Sequence, residues 1–594
     1  MRRAATWLAT LRTALGLCFR ADPWRATGLF AGEIGFTLLL LLSTYGFRLI
    51  VDAAVRRDGT GALLAAGVTA LTYALGLVAS RANLRLGVAV TERAGLLIDT
   101  RLMALTGGLP TIEHHERPRY ADELTLIRQE REAMAQAVNA FVVNLRVAAL
   151  LAGGVAILVH LDPVLIALPL FGLPAVAATR AANRLRQRAR EANAERVRLR
   201  DHLYEVGSAP SAAGELRIFG LAGEVAARHA AVAEAAGREA ARASLQGDGL
   251  AAAGAFVFAA GYVGALWVLF DHAVQGTTTI GSVVLALSLA VLINLQVAAA
   301  AQVSGYLQQV VKAAGRLLWL EAYAERAAWR PGPQLPAPDR MQRGIEVRQV
   351  SFAYPDTSRL VLDGVDLQLP AGAVVALVGE NGSGKTTLVK LLTGLFRPGQ
   401  GAVLVDGVDL QRFDLHEWRR RVSGAFQDFW RPELILREAV GTGDLPRLDD
   451  PLAVSAALAR AGARELRRLQ PAGLQTQLGS TWGGVDLSGG QWQKLALGRA
   501  LMRDAPLLTV FDEPTSALDA ETEHALFQRL AAAARSSSGG VTLLVSHRFT
   551  TVRTADVIVV LDHGRVVETG DHAALVRAGG LYAELFELQS RGYR

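Results

Sequence analysis

Two stretches of this sequence are chemically suited to hold phosphate. VVALVGENGSGKTTLVKLL (374–392) runs from an apolar strand pattern through a glycine-rich loop into a helix pattern, and it fits G-x-x-x-x-G-K-[ST] with Gly379, Gly384, Lys385 and Thr386. In such a loop the backbone N–H groups over Gly379, Asn381, Gly382, Ser383 and Gly384 can wrap an oligophosphate. Lys385 adds positive charge, the Thr386 hydroxyl can hold Mg2+, and Thr387 follows in the first helical turn. The second stretch, DLSGGQWQKLALGRA (486–500), places Leu487, Ser488, Gly489, Gly490 and Gln491 at a helix start. Free N–H groups there face outward past almost no side chain, which is the chemistry of an anion site. Between the two requirements of charge and water stands APLLTVFDEPTSALD (505–519). Its apolar strand delivers Asp512 as a second Mg2+ ligand and Glu513 as a carboxylate able to polarise an attacking water.

These residues need a parallel sheet to present them, and the second half of the chain supplies strand patterns from GIEVRQVSFAYP (344–355) onward. The first half is a different kind of polymer. Apolar runs occur at 26–47, 61–80, 147–161, 163–179, 249–270 and, without charge, at 273–311. A spanning helix needs about 20 apolar residues, so six spans are expected, the third and fourth extended into their helical flanks. An even number also returns the chain to the side where its basic N-terminus starts. Arg56 and Arg57 disagree by falling in an outer loop, but the segments 81–140 and 181–248 carry many more arginines. Those two segments are expected to be cytoplasmic extensions of the spans, each broken by a Gly- and Pro-containing turn, at 107–120 and 205–220. A short transverse helix at each turn could rest on a cytosolic domain. WRPGPQLPAPDR (329–340) marks an extended, semi-rigid linker. The organisation expected is a membrane domain over 1–325, a linker over 326–342 and a nucleotide-binding domain over 343–594.

Composition agrees with that division. Hydrophobic residues make up 51% of the 594, charged residues 20%, and the mean hydropathy is +0.26, which favours the membrane class. The net charge of +7 is spread along helical patterns such as RLRQRAREANAERVRLR (184–200). That placement marks the cytoplasmic face of a membrane protein rather than a nucleic-acid surface. Cys18 is the single cysteine, so no intramolecular disulfide or CxxC cluster can form. MRRAATWLATLRTALGLCFR (1–20) is interrupted by Arg12 and lacks a cleavage site, so an interfacial amphipathic helix is expected instead of a signal peptide. His114 and His115 point to different faces of any helix and have no third ligand nearby, so a solvated turn is expected there.

The phosphate loop, LSGGQ (487–491), DE (512–513), SALD (516–519) and LLVSHR (543–548), in this order, resemble the ATP-binding cassette of ABC transporters over residues 343–590. The six-span half with its linker resembles the exporter arrangement. The resemblance implies a membrane α-helical bundle of exporter type fused to an α/β P-loop cassette, using ATP and Mg2+. It implies that Tyr354 in SFAYP stacks on adenine, that Gln427 in AFQDF touches metal and water, that His547 contacts the γ-phosphate, and that Asp519 lies in a loop at the dimer interface. It also implies that Ser488, Gly489 and Gly490 meet the nucleotide held by a second chain, so that two half-transporters form two shared sites. A homodimer is the economical expectation, since the matched catalytic positions are intact; a heterodimer stays open. ATP-driven closure would then switch the spans between inward- and outward-facing states.

The cargo is less constrained. AFQDFWRPELILREAV and LSGGQWQKLALGRALM resemble cassettes of lantibiotic and related peptide exporters, though without the N-terminal cysteine peptidase some of those carry. The expectation is a peptide or other amphipathic natural product, with a drug or lipid exporter, a siderophore-type importer, or an ATP-gated channel as alternatives. Asn294, Gln302 and Gln309, spaced by eight and seven, fall near one helix face and are candidates for the cargo cavity, or for helix–helix hydrogen bonds. Glu33 in AGEIGF is an ionisable residue near the start of the first span and a candidate on that ground.

Overall fold

The computed structural model describes residues 2–592 except 164, 166–167, 210–211, 328, 330–333, 470–471, 514–538 and 547–548; the side chains of some further residues, Asn294 and Gln302 among them, lie outside the description. The chain divides into two compact units, Met1–Leu105 with Thr125–Glu321, and Thr106–Leu124 with Ala322–Arg594. The turn expected at 107–120 therefore belongs with the second unit.

The first unit is helical. Its elements are α1 (Arg2–Ala21), α2 (Pro23–Val55), α3 (Gly59–Gly107), α4 (Pro118–Ala135), α5 (Ala137–Leu161), α6 (Leu168–Ala192), α7 (Ala194–Ser208), α8 (Ala213–Ile218), α9 (Ala222–Val274) and α10 (Ile280–Arg326). α2 starts at a capped end: Asp22 accepts from the Arg25 N–H at 3.1 Å, and Pro23 fills the first helical position, where no N–H is required. Among the described residues four helices, α2, α3, α5 and α9, are long and apolar enough to cross a membrane. At most 28% of the most apolar stretch of any of them is buried, so a lipid or protein surface must cover the rest. α6 and α10 occupy the places of the fourth and sixth expected spans, and parts of both lie outside the described side chains.

Small residues let α6 and α9 approach. A Cβ on Gly254 would stand 2.8 Å from both the Ala175 Cα and the Ala178 Cβ, and one on Gly261 would strike the Phe171 ring. In a lipid solvent such close backbone contact is a main source of helix association. At the far end of α2, Asp52 accepts from the Gly281 N–H at 3.0 Å and the Thr279 hydroxyl at 3.0 Å, capping α10 across the chain.

The second unit is an α/β cassette. A four-stranded antiparallel sheet has the order β2 (Leu360–Pro370), β1 (Gly344–Ala353), β4 (Gln400–Val405), β5 (Val408–Asp409). A six-stranded sheet has the order β10 (Arg565–Gly570), β9 (Val557–Asp562), β3 (Val374–Val378), β8 (Val541–Val545), β7 (Leu508–Asp512), β6 (Val422–Ala425). All pairs in it are parallel except β9–β10. β3 is buried along its length, because parallel strands are covered on both faces. Alternate residues serve different cores: Val374, Ala376 and Val378 pack with the helices α13 (Leu436–Gly441), α14 (Pro451–Arg460) and α15 (Gly489–Ala500), and Val375 and Leu377 with α11 (Lys385–Leu392), α12 (Leu415–Arg420) and the antiparallel sheet. The described part of the linker is tied down rather than free: Leu335 exchanges backbone hydrogen bonds with Arg412 and Asp414, and Asp406 accepts from the N–H groups of Gln342, Arg343 and Gly344.

The turn over 107–117 docks on this unit. Ile112 donates its N–H to the Leu395 carbonyl at 3.0 Å, and Arg419 donates to the Pro110 carbonyl. His114 is not solvated as expected. It is 3% exposed, its ring lies 4.1 Å from that of His115 and 4.8 Å from that of Tyr120, and its Nε2 has no hydrogen-bond partner among the described residues. Two adjacent histidines were read as pointing apart, but the short 3-10 turn over Glu113–Glu116 brings their rings together at a tilt of 43°.

Burial, with the neighbouring His115, pushes the His114 imidazole down to about 4 from an ordinary value of 6.5. The unfolded chain binds the proton first as pH falls. The contribution of the buried neutral ring to stability is therefore complete above pH 6.5 and is lost progressively as pH falls toward 4. His114→Phe, which has nothing to protonate, is expected to flatten that dependence. Thermal unfolding of the two proteins at pH 7 and pH 5 checks it, through a wild-type midpoint that drops further than the variant's.

Candidate nucleotide site

The functional side chains meet where three neighbouring strands of the six-stranded sheet end. β3 ends at Val378 and runs into the glycine loop, β7 ends at Asp512, and β8 lies between them with Leu377 opposite Val545 and Asp512 opposite Val545. Ligands of open α/β sheets bind in the crevice beyond such carboxyl ends. The loop turns back on itself through positive φ at Gly379 (147°), Gly382 (86°) and Gly384 (107°). A side chain at Gly384 would meet Leu362 Cδ2 at 2.7 Å and the Val361 carbonyl at 3.0 Å, so only glycine fits.

A cavity of about 720 Å3 opens at this point, bounded by the loop (Asn381, Gly382, Gly384) and the first turn of α11 (Lys385, Thr386, Thr387). Tyr354 and Val361 close one side of it, and Gln427, Asp512, Glu513 and Val545 the other. Lys385 donates to the carbonyls of Gly379 at 2.9 Å and Glu380 at 2.8 Å, which fixes its ammonium over the loop with a third N–H in hand. Burial pushes that ammonium down from its ordinary value, and the carboxylates of Glu513 and Asp512 pull it back up. Asp512 is held above the usual carboxylate range by burial, opposed by a hydrogen bond from the Thr386 hydroxyl at 3.3 Å. The Ser383 hydroxyl is buried in the cradle and finds no partner among the described residues. An orphaned donor, a fan of backbone N–H groups and two oxygens from Thr386 and Asp512 fit a polyphosphate with its magnesium ion.

Glu513 sits at φ 47°, an uncommon backbone state for a residue with a side chain. Its N–H is bound to the Val545 carbonyl at 2.9 Å, and its carbonyl accepts from the Gln493 amide at 3.4 Å. The strained turn is thus fixed from both sides, placing the carboxylate on the cavity wall next to Asp512.

Tyr354 is half-buried and steadied by three contacts: its hydroxyl is 3.0 Å from the Thr387 hydroxyl, and Phe352 and Phe396 meet its ring edge-on at 5.3 and 5.5 Å. The signature residues do not line this cavity. Ser488 caps α15 and accepts from the Gln491 N–H at 3.3 Å, while Gln491 accepts from the Ser488 N–H at 2.9 Å, a reciprocal cap worth about 1 kcal/mol. Ser488 and Gly489 are exposed, and a Cβ on Gly489 would meet nothing within 4 Å. Leu487 and Trp492 instead anchor the helix in the core. Trp492, within the stretch whose resemblance suggested peptide exporters, is packed in the core. His547 and Asp519 lie outside the described residues.

In the membrane half, Glu33 is 9% exposed and pairs with Arg146 at 3.3 Å. The pair lies in a cavity of about 110 Å3 otherwise lined by Phe30, Ile34, Thr37, Leu38, Val142, Leu145 and Ala149. Arg146 was missed in the sequence, although it immediately precedes the apolar run at 147–161. Gln309 is exposed on α10.

Residues 362–516 match the family model described as ABC transporter. The chain is 42% identical over 254 residues to the ATP-dependent lipid A-core flippase of Aromatoleum aromaticum, covering 43% of this chain and 41% of that protein. It is 41% identical over 250 residues to the protein of that name from Pseudomonas putida, covering 42% of this chain and 40% of the relative. The match to the one from Chromohalobacter salexigens is longer, 35% identity over 328 residues, covering 55% of this chain and 54% of the relative. The chain thus spans about half the length or less of the curated relatives it matches. The fold is similar to that of a structure described as a bacterial Atm1-family ABC exporter with ATP bound, with a TM-score of 0.77, 23% identity and 96% and 98% of the two chains covered. None of these three relatives is named as a peptide exporter. Residues 362–516 are thus similar to the ABC transporter family, and the whole chain has the fold of that exporter, an apolar helical half joined to one α/β cassette.

Proposed function

We propose that this chain is one half of an ATP-driven exporter of the inner membrane that moves an amphipathic lipid, with two copies sharing two nucleotide sites. The observation that carries the nucleotide part is the cavity at the ends of β3 and β7, where Lys385, Thr386, Asp512 and the strained Glu513 converge. Residues 343–594 bind and hydrolyse ATP, and residues 1–325 form the path. Mg2+ would be held by Thr386 and Asp512, with Gln427 on the same wall, and would neutralise charge on the phosphate oxygens. Glu513 orients and deprotonates the attacking water, Tyr354 offers its ring to the base, and Lys385 and the loop N–H groups orient the phosphates. Asp519 and His547 take the interface and γ-phosphate roles that the motif order implies. Ser488, Gly489 and Gly490 face the nucleotide of the second chain, which fits the exposure of Ser488 and Gly489 and the absence of all three from the cavity wall of their own chain.

Lipid is preferred over peptide as cargo for two reasons. The relatives are named for a lipid, and the membrane half holds an ion pair inside an apolar pocket, a combination suited to a molecule with a charged head and apolar tails. Vesicles containing the protein, supplied with ATP and a fluorescent lipid A analogue, are expected to show ATP-dependent movement between leaflets, and a lantibiotic-type peptide is not expected to be moved. Glu33→Gln leaves Arg146 without its carboxylate and is expected to slow lipid movement about tenfold, or roughly 1.4 kcal/mol. Peptide movement without lipid movement would return the cargo to the peptide class.

A further inference from the structure

Beyond the catalytic groups, one chain of contacts leads from the nucleotide cavity to the turn over 107–117, and it runs through Lys390. This residue lies on α11, the helix that the phosphate loop opens, but it does not line the cavity. Its ammonium stands 5.5 Å from the ring centre of Tyr354 and 5.5 Å from that of Phe396. Its Nζ is also 3.6 Å from Glu116 Oε1, in the 3-10 turn over Glu113–Glu116. Its backbone carbonyl accepts from Leu395 and Phe396, and the Leu395 carbonyl in turn accepts from the Ile112 N–H. A single residue therefore touches the base-facing aromatic, the anchor of the turn and a carboxylate of the turn.

We propose that Lys390 is a positioning residue that reports a base stacked on Tyr354 to the first cytoplasmic turn, through its ion pair with Glu116. The inference rests on the nucleotide reading above. Its physical basis is the dielectric. The Lys390 and Glu116 side chains are 25% and 38% exposed, so water screens their attraction. A purine lying on Tyr354 excludes water from that side of the aromatic cluster. The attraction of the cation for the ring and for Glu116 then rises together, because both are electrostatic and both weaken in water. The turn, docked through Ile112 and Arg419 in any case, is held more tightly when a base lies on Tyr354. Polyphosphate alone fills the cradle without covering Tyr354 and leaves the turn as it was.

The test follows amide exchange in the full chain in lipid nanodiscs, on a Glu513→Gln background so that nucleotide persists. Exchange is measured in segments 379–387 and 107–124 with Mg-ATP, with magnesium and inorganic triphosphate, and with neither. ATP is expected to slow both segments and triphosphate only the first. Lys390→Met and Glu116→Gln are each expected to lose the slowing of the turn by about fivefold, with the cradle still protected. The double variant is expected to be no worse than either single one, and Lys390→Arg, which keeps the cation, to behave as wild type. Protection of the turn by triphosphate, its survival in Lys390→Met, or equal loss in Lys390→Arg would overturn the proposal. No protection of the cradle by ATP would overturn the nucleotide reading itself, and this inference with it.

Discussion

Glu513→Gln is expected to bind ATP as the wild type does and to lose turnover by about a hundredfold to ten-thousandfold, the range for removal of a positioned general base. The amide is isosteric, so the turn that holds the side chain need not change: the fixed points are the Val545 carbonyl on the Glu513 N–H and the Gln493 amide on its carbonyl, both backbone contacts. What disappears is the ability to accept a proton from water. Lys385, Thr386 and Asp512 are untouched, so nucleotide affinity measured by a fluorescent analogue should stay within about twofold of wild type. The variant is expected to accumulate the nucleotide-bound, closed pair of cassettes, visible as a shift to the dimeric form of the soluble half by light scattering. Wild-type turnover in this variant would remove Glu513 from the chemistry and leave its backbone strain without a functional explanation.

The parts of this protein that can be read in the sequence are those whose chemistry is local. The phosphate loop and Asp512 with Glu513 are each specified within a few residues, and the structure brings Lys385, Thr386, Asp512 and Glu513 to one cavity. The apolar strand β3 announces itself because it is covered on both faces. What could not be read depends on partners distant in the chain. Glu116 and Lys390 are 274 positions apart, and neither has a sequence context that names the other. His114 looked like a solvated turn because nothing in its immediate pattern says that it will be buried with Tyr120 against it. Glu33 was picked out as a lone charge, yet its partner Arg146 comes from another helix, 113 positions on. Trp492 sits beside a functional motif, but its packing in the core gives it a structural role that carries no information about cargo. The cargo is the extreme case, since the side chains that would contact it are spread over several helices and share no motif.

Ser488→Arg provides the second large effect, and paired with Lys385→Ala it decides who shares a site with whom. Arginine at this position places a bulky cation where a γ-phosphate should meet backbone N–H groups and a hydroxyl, and removing such contacts costs about a hundredfold to a thousandfold in turnover. The helix itself loses only a cap worth about 1 kcal/mol, and its first turn stays anchored by Leu487 and Trp492 in the core. In a tandem fusion of two copies, the two substitutions can sit on the same copy or on different copies. If each site takes Lys385 from one copy and Ser488 from the other, substitutions on different copies damage one site twice and spare the second, leaving about half the turnover. Placed on the same copy they damage both sites, and turnover falls about a hundredfold or more. A site built from one copy alone predicts the reverse order. The exposure of Ser488 and Gly489, away from the cavity of their own cassette, favours the first ordering. Two steady-state ATPase measurements on the fusions therefore separate a shared site from a self-contained one, whatever the cargo proves to be.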